Sequence, residues 1–292
     1  MDVIVQIIVS GLTLGAMYAV STIGLSLVYG SLNMLNMAHG AILTIGGYAA
    51  YGAIQQLGAP PLVAFLAAIA VGGAVGLLIF LAAALPLLNG KNFETNIFIA
   101  TIGIGAALEN VVLKLYGPYA KPQPLSVTGV VRIGAVVLPY QNILILTVAV
   151  VMMAAIAFLL QGTRTGRAIR ATAQNRDAAL LMGVSVRRVY AQVLALSGAL
   201  AAVSGVMISS LATLSPTMGG DPMMKAFVIC VAAGLGDTVG AVGAAVAIGL
   251  LEAAAQYLLG VRFGFATLLL LVIVILIWRP AGLFGKTRIV RL

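Results

Sequence analysis

The sequence predicts an all-α fold, a polytopic helical transmembrane protein with about 8–10 membrane segments, some of them short or broken. Of its 292 residues, 62% are hydrophobic and 8% are charged, whereas about 25% of the residues of a soluble domain are charged. No Asp, Glu, Lys or Arg occurs between Val3 and Gly90. The apolar runs are also too long, and too poor in polar alternation, for the strands of a membrane barrel.

Five apolar runs are long enough to cross a membrane as regular helices, since a crossing takes about 20 residues. These runs are residues 3–30, 62–85, 97–116, 138–160 and 189–213. Shorter runs cover residues 41–57, 241–259 and 263–279, and the shortest covers 226–236. The shortest run cannot cross as a regular helix. Because Asp2 precedes the first run and no basic residue does, we expect a retained span rather than a cleaved signal.

The basic residues predict which loops face the cytoplasm. Six of the sixteen lie between Arg164 and Arg188, and four more follow Trp278. If both clusters are inside, alternation through these segments puts the N-terminus outside. Residues 161–190 then form a cytoplasmic loop, and residues 117–139 form an extracytoplasmic loop with a small hairpin. We expect one transmembrane domain over residues 1–292, with anionic membrane lipid and no nucleic acid as the partner of its positive charge.

Polar side chains in or beside the apolar runs are candidates for lining a route through the membrane. An unpaired charge there costs about 2.5–3.5 kcal/mol, so such residues need a reason to be present. The candidates are Asn33, Asn36, His39, Glu109, Asn110, Glu252 and Gln256. Hydrogen bonds between helices, helix capping or an interfacial position would also explain them. The residues alone leave these alternatives open.

The composition does not support a catalytic or metal site. There is one histidine and one cysteine, Cys230. A Ser-His-Asp arrangement, a pair of neighbouring carboxylates and a thiolate cluster are therefore all missing from the sequence pattern. We expect neither an enzyme nor a bound metal or cofactor.

Residues 163–185, TRTGRAIRATAQNRDAALLMGVS, form the most informative stretch. At 100° per residue, the polar side chains from Arg164 to Asp177 form one stripe. Ile169, Ala173 and Leu180 fall on another face, and Gly166 and Gly183 are expected to break the helix at either end. The pattern predicts a short amphipathic helix pair. Such a pair could dock onto a soluble partner or lie on anionic lipid.

Three stretches together resemble a known family. The T-R-x-G-R-A-x-R-A, Q-N-R-D-A-A and M-G-V elements of residues 163–185 are similar to the coupling segment of ATP-binding-cassette (ABC) permeases for branched-chain amino acids. Residues 11–40, GLTLGAMYAVSTIGLSLVYGSLNMLNMAHG, resemble the N-terminal signature of that family. Residues 225–252, KAFVICVAAGLGDTVGAVGAAVAIGLLE, resemble its late Gly-rich signature.

The resemblance implies a membrane-spanning permease subunit that carries branched-chain or related small amino acids across the bacterial inner membrane. The implied partners are a second permease, homologous or identical, two cytoplasmic ABC ATPase subunits that hydrolyse ATP, and an extracytoplasmic substrate-binding protein. The implied coupling residues are Arg164, Gly166, Arg167, Arg170, Asn175, Arg176, Asp177 and Gly183.

The same resemblance leaves the substrate open. Asp237 and Thr238 stand where members of the family often have Ser and other small residues, and Asp221 precedes an unusual Pro-Met-Met. The family also includes importers of urea and short-chain amides. A secondary transporter or channel, with Glu109 or Glu252 coupling an ion, and a structural scaffold are the alternatives from other classes.

Overall fold

The computed structural model describes residues 2–88, 90–133 and 136–285. Within these ranges the helices are α1 (Asp2–Leu32), α2 (His39–Gln55), α3 (Pro61–Ile79), α4 (Leu85–Leu87), α5 (Phe93–Tyr116), α6 (Tyr140–Gly162), α7 (Arg164–Gln174), α8 (Arg176–Leu181), α9 (Val186–Leu211), α10 (Gly220–Ala233), α11 (Thr238–Leu259) and α12 (Gly264–Trp278). A π-helical turn, Phe80–Ala84, joins α3 to α4, and a 3-10 turn, Val261–Phe263, precedes α12. Strands β1 (Val130–Ile133) and β2 (Val136–Pro139) pair antiparallel.

Seven helical stretches in the described residues are long and apolar enough to cross a membrane. They are Val3–Leu32, Pro61–Leu87, Phe93–Tyr116, Tyr140–Gly162, Val186–Leu211, Thr238–Leu259 and Val261–Trp278. The shorter helices α2 and α10 have 17 and 14 residues. At 1.5 Å per residue, α10 spans only about 21 Å, so the expectation of both long and short membrane segments is confirmed.

The bundle has two distinct ends. We call the end that carries β1 and β2 the hairpin end, and the end that carries α7 and α8 the arginine-rich end. Helix α6 connects the two, because it starts directly after β2 and stops one residue before α7. Asn33, just after α1, lines a cavity together with Arg170 of α7. The chain therefore starts at the hairpin end, opposite the arginine-rich segment.

Glycines let the central helices touch backbone to backbone. A Cβ on Gly11 would lie 2.7 Å from the Cα of Leu250, so α1 and α11 are in direct contact. A Cβ on Gly76 would overlap the carbonyl of Leu194, which brings α3 equally close to α9. Gly11 and Gly76 therefore lie at direct contacts between helices.

The connection after α5 covers part of the hairpin end. Lys121 and Leu214 exchange two backbone hydrogen bonds of 2.9 Å, which ties this connection to the one that follows α9. The side-chain amide of Gln123 is buried and donates to the carbonyl of Gly47 and to Ser209 Oγ. The expected hairpin forms from Val130 to Pro139. Its tip, residues 134–135, lies outside the described residues.

Candidate functional site

The arginine-rich segment begins with a capped helix folded against the end of α6. The hydroxyl of Thr163 accepts a hydrogen bond from the N–H of Gly166 at 3.0 Å and donates one to the carbonyl of Leu159 at 2.6 Å. Gly166 is buried, and a Cβ there would overlap the carbonyls of Leu159 and Leu160. The prediction that Gly166 breaks the helix was wrong. It lies inside the first turn of α7, where only a hydrogen atom fits against α6.

Asn175 divides the segment into two helices. Its backbone is extended, with φ −157° and ψ 109°, and its Oδ1 accepts the N–H of Ala178 at 3.0 Å. Capping by this amide starts α8 in a new direction. The predicted stripe from Arg164 to Asp177 is therefore interrupted, because a single helical period does not continue through Asn175.

Gly183 ends α8, as expected. Its φ of +81° is in the left-handed region that favours glycine. The N–H of Val184 donates to the carbonyl of Ala179, and the N–H of Gly183 donates to that of Leu180, both at 3.0 Å. These two bonds form a Schellman motif, which closes the end of the helix.

The outer surface of this segment combines positive charge with an apolar tip. Arg164, Arg167 and Arg170 are exposed, whereas Ile169 between them is buried. The tip consists of Leu180, Leu181 and Met182, which are 59%, 87% and 84% exposed. We expected Leu180 to share a face with Ile169, and this was wrong, because the turn at Asn175 directs α8 away.

Arg176 and Asp177 occupy the first turn of α8, and both are exposed. The guanidinium of Arg176 lies 6.0 Å from the centre of the Tyr190 ring, within range of a cation–π contact. Tyr190 belongs to α9, so this contact links α8 to the next long helix. All the residues predicted for coupling thus lie in one continuous segment at the arginine-rich end.

The connection between α1 and α2 folds back into the bundle. Asn33 is exposed and has a left-handed backbone, with φ +53°. Asn36 is buried, and its Oδ1 accepts the N–H of Ala38 at 3.1 Å. His39 is fully buried, with Nε2 3.1 Å from Ser21 Oγ. Because Ser21 lies eleven residues before the end of α1, α2 begins roughly 16 Å back along that helix.

Glu252 lies in a buried ion pair. Its Oε1 is 2.8 Å from Lys225 Nζ and accepts the side-chain amide of Gln256 at 3.0 Å. Lys225 also donates to the hydroxyl of Tyr18 at 3.2 Å and pairs with Asp221 at the same distance. These contacts join α10 to α1 and α11. Sequence reasoning missed Lys225 and Tyr18, although the Asp221–Lys225 spacing of four residues was a usable signal.

Glu109 and Asn110 have different surroundings although they are neighbours on α5. Glu109 lines a cavity of about 280 Å³ together with the first residues of α2 and α10. Asn110 is exposed and donates to the carbonyl of Ala106, one turn earlier in its own helix, at 2.8 Å. Six of the seven polar candidates therefore fall in three places: the α1–α2 connection, the ion pair of Glu252 and the cavity beside Glu109. Asn110 lies on the exposed face of α5.

The fold and this segment define a class of protein. A bundle of long apolar helices, with short helices inside it and one charged helix pair at one end, is the architecture of an integral membrane protein. A family model described as the permease component of branched-chain amino acid transport systems matches residues 7–278. The chain belongs to this family of transport permeases, which are not enzymes.

Individual relatives agree along nearly the whole length. The chain is 32% identical to the high-affinity branched-chain amino acid transport system permease protein BraD of Pseudomonas aeruginosa, covering 97% of this chain and 96% of BraD. It is 30% identical to the corresponding Escherichia coli protein, LivH, over 96% of this chain and 95% of LivH. A probable LivH of Methanocaldococcus jannaschii is 28% identical, over 90% and 87%. No solved structure matches the chain.

Proposed function

We propose that this chain is the permease subunit of an ABC importer and moves branched-chain or related small amino acids across the bacterial inner membrane. Its proposed partners are a second permease, two ABC ATPases and a substrate-binding protein. The observation that carries the proposal is the α7–α8 segment, a capped helix pair with exposed arginines and an apolar tip. The matching family and its named relatives supply the substrate class.

The geometry of α7 supports a role in force transmission. Thr163 and Gly166 hold the first turn of α7 directly against the carbonyls at the end of α6. Arg176 contacts Tyr190 at the start of α9. A movement of α7 would therefore reach α6 through direct contact, and a movement of α8 would act beside α9.

The exposed tip supports docking onto a protein rather than onto lipid alone. Leu181 and Met182 are more than four-fifths exposed, yet they end a helix whose other exposed residues include Arg176 and Asp177. Exposed apolar side chains with charged residues on the same short helix fit the pattern of a protein–protein interface, which has an apolar core and a polar rim. We place this end in the cytoplasm, where the ATPases are.

Reconstitution tests the proposal. The permease is purified with its cognate ATPases and second permease, inserted into vesicles, and supplied with a binding protein loaded with labelled leucine. We expect ATP-dependent uptake. Uptake by this chain alone, or uptake driven by a proton or sodium gradient in the absence of the ATPases, would contradict the proposal and favour a secondary transporter.

Variants of the segment test the coupling role. Arg170→Glu and Leu181→Glu should leave membrane insertion intact but weaken ATPase binding by about 2 kcal/mol, as loss of an interface hot spot does. Uptake per ATP hydrolysed should fall with them. Arg132→Glu, an equal charge reversal in β1 at the hairpin end, is the matched control. A normal ratio of uptake to hydrolysis in both test variants would count against coupling and favour a scaffold or lipid-binding role.

A further inference from the structure

Residues 212–219, which lead from α9 into α10, lie along one face of α2. Thr44 Oγ1 accepts a hydrogen bond from the N–H of Gly219 at 3.1 Å. One turn further along α2, a Cβ on Gly47 would lie 2.8 Å from Leu214 Cδ1. Thr44 and Gly47 share a helix face, because residues three apart are neighbours on a helix. The position of the chain just before α10 therefore depends on its fit against α2.

The connection that follows α5 holds this part of the chain in place at the hairpin end. The backbones of Lys121 and Leu214 exchange two hydrogen bonds of 2.9 Å. The side-chain amide of Gln123 donates to the carbonyl of Gly47 at 3.1 Å and to Ser209 Oγ at 2.8 Å. Gln123 and Leu214 therefore meet at Gly47, and both connections are fixed to α2 there.

The ammonium group of Lys121 adds a further contact. Its Nζ lies 5.4 Å from the ring centre of Tyr51 on α2 and 5.6 Å from that of Tyr116 at the end of α5. Tyr48 packs against both rings, with ring centres 6.4 Å and 4.6 Å away. Both ion pairs among the described residues belong to another lysine. The side chain of Lys121 is therefore held by cation–π contacts, since both distances fall within the limit of about 6 Å.

Two buried polar atoms at this place have no hydrogen-bond partner among the described residues. They are Oε1 of Gln123 and the hydroxyl oxygen of Tyr48, and both side chains are almost fully buried. A buried polar atom without a partner destabilises the conformation that buries it. The contact between the α5–α6 connection and α2 is therefore only moderately stable, as expected for a part of a protein that opens and closes.

Residues 212–219 connect this contact to the middle of the bundle. Helix α10 begins directly after them, at Gly220. Its Lys225 pairs with the buried Glu252 on α11 and donates to the hydroxyl of Tyr18, halfway along α1. A shift of residues 212–219 would therefore displace α10 against α1 and α11.

The outer surface of the hairpin end is exposed and basic. Tyr119 is 81% exposed. Lys114 and Arg132 flank the α5–α6 connection, and the sequence contains no Asp or Glu between Asn110 and Arg176. A protein that presents acidic side chains would find complementary charge here. The substrate-binding protein is the proposed partner that arrives from this side.

We propose that residues 117–129 form a latch, in which Lys121 and Gln123 hold residues 212–219 and α10 in a resting position until loaded binding protein engages the hairpin end. Lys121 and Gln123 are positioning residues that act through Leu214. The inference rests on the proposed function, because it assigns how the binding protein regulates the importer. Loss of the latch contacts favours the released conformation, since a two-state equilibrium shifts with the relative stability of its states.

ATP hydrolysis by the reconstituted complex without binding protein tests the latch. Lys121→Gln removes the cation and keeps the backbone pair, and it should raise hydrolysis about three-fold, the shift expected from loss of a partly exposed cation–π contact. Gln123→Leu removes two side-chain hydrogen bonds and should raise hydrolysis about ten-fold. Lys121→Arg keeps the cation and should stay within about two-fold of the parent. Misfolding would lower hydrolysis, so it cannot imitate these increases.

Two matched controls come from the same end of the bundle. Lys114→Gln removes an exposed lysine in the last turn of α5, and Gln55→Leu changes an exposed glutamine in α2. Both should keep hydrolysis within about two-fold of the parent. Amide hydrogen exchange is the second measurement. The N–H of Leu214 donates to the carbonyl of Lys121, so loaded binding protein should speed its exchange in the parent complex.

The outcomes separate the latch from the transport function. If the parent complex shows neither ATP-dependent uptake nor stimulation by loaded binding protein, the proposed function fails and the latch fails with it. If the parent is stimulated but Lys121→Gln and Gln123→Leu hydrolyse ATP no faster than their controls, only the latch is overturned. Unchanged or slower exchange at Leu214 when loaded binding protein is added overturns it as well.

Discussion

Replacing Lys225 tests how the short helix α10 is held in the bundle. The Lys225 side chain is 12% exposed and its partner Glu252 is fully buried. Lys225→Met removes the cation and leaves a buried carboxylate without compensation, which typically costs about 3–5 kcal/mol. The contact with Tyr18 is lost at the same time. We therefore expect a loss of about 3–5 kcal/mol in the free energy of unfolding.

A double variant that removes both charges tests whether the loss comes from the uncompensated carboxylate of Glu252. In Lys225→Met/Glu252→Gln, neither charge remains, and the glutamine still accepts the amide of Gln256. Since replacing both partners of a buried ion pair is often close to neutral, most of the loss should be recovered. Lys114→Met, which removes an exposed lysine from the last turn of α5, is the control and should change stability by less than about 0.5 kcal/mol.

The chain supplies its own reporter for this experiment. Cys230 is the only cysteine in the sequence, and it is buried in α10 five residues after Lys225. A thiol-reactive dye therefore reports exposure of α10 as the detergent-solubilised protein is heated or titrated with denaturant. Lys225 does not compensate Glu252 if Lys225→Met unfolds like the parent protein, or if the double variant is no more stable than the single one.

Two further predictions concern the packing of the long helices and the joint between α7 and α8. Gly76→Ala should cost about 1–3 kcal/mol, because its Cβ overlaps the carbonyl of Leu194. Gly73→Ala, whose Cβ would lie 3.5 Å from its nearest neighbour, should be neutral or slightly stabilising; equal thermal stability of these two variants would contradict the described contact. Asn175→Ala removes the cap of α8 and should destabilise that helix by about 1 kcal/mol, seen as faster amide hydrogen exchange in residues 178–181 with little change in α9. Unchanged exchange there would show that other contacts hold α8.

Much of the architecture follows from hydrophobicity, because a long apolar run in a membrane satisfies its backbone hydrogen bonds by forming a helix. The five long runs all correspond to helices, within a few residues at each end. The run at 226–236 was harder, since α10 begins at Gly220 and its polar first turn hides the start. The i, i+4 spacing of Asp221 and Lys225 was the local signal for this start, but the pairing of Lys225 with Glu252 on α11 depends on tertiary packing.

The functional residues were predictable only where local sequence decides their geometry. Asn175 and Gly183 act through their own backbone neighbours, and the segment that contains them was recognised correctly as a helix pair. Gly166 was misread, because its role depends on the carbonyls of Leu159 and Leu160 across a turn. Lys225 contacts Glu252, 27 residues away, and Tyr18, 207 residues away, and both contacts depend on tertiary packing.

The close contact between α1 and α11 has a consequence for biosynthesis. Helix α1 is matched to a helix that begins more than two hundred residues later in the chain, and Gly11 touches Leu250 only after both are inserted. Contacts between such distant parts of a chain form late and slowly. Until α11 is inserted, lipid must therefore cover the face of α1 that carries Gly11, although other faces of α1 pack against α6 and α9.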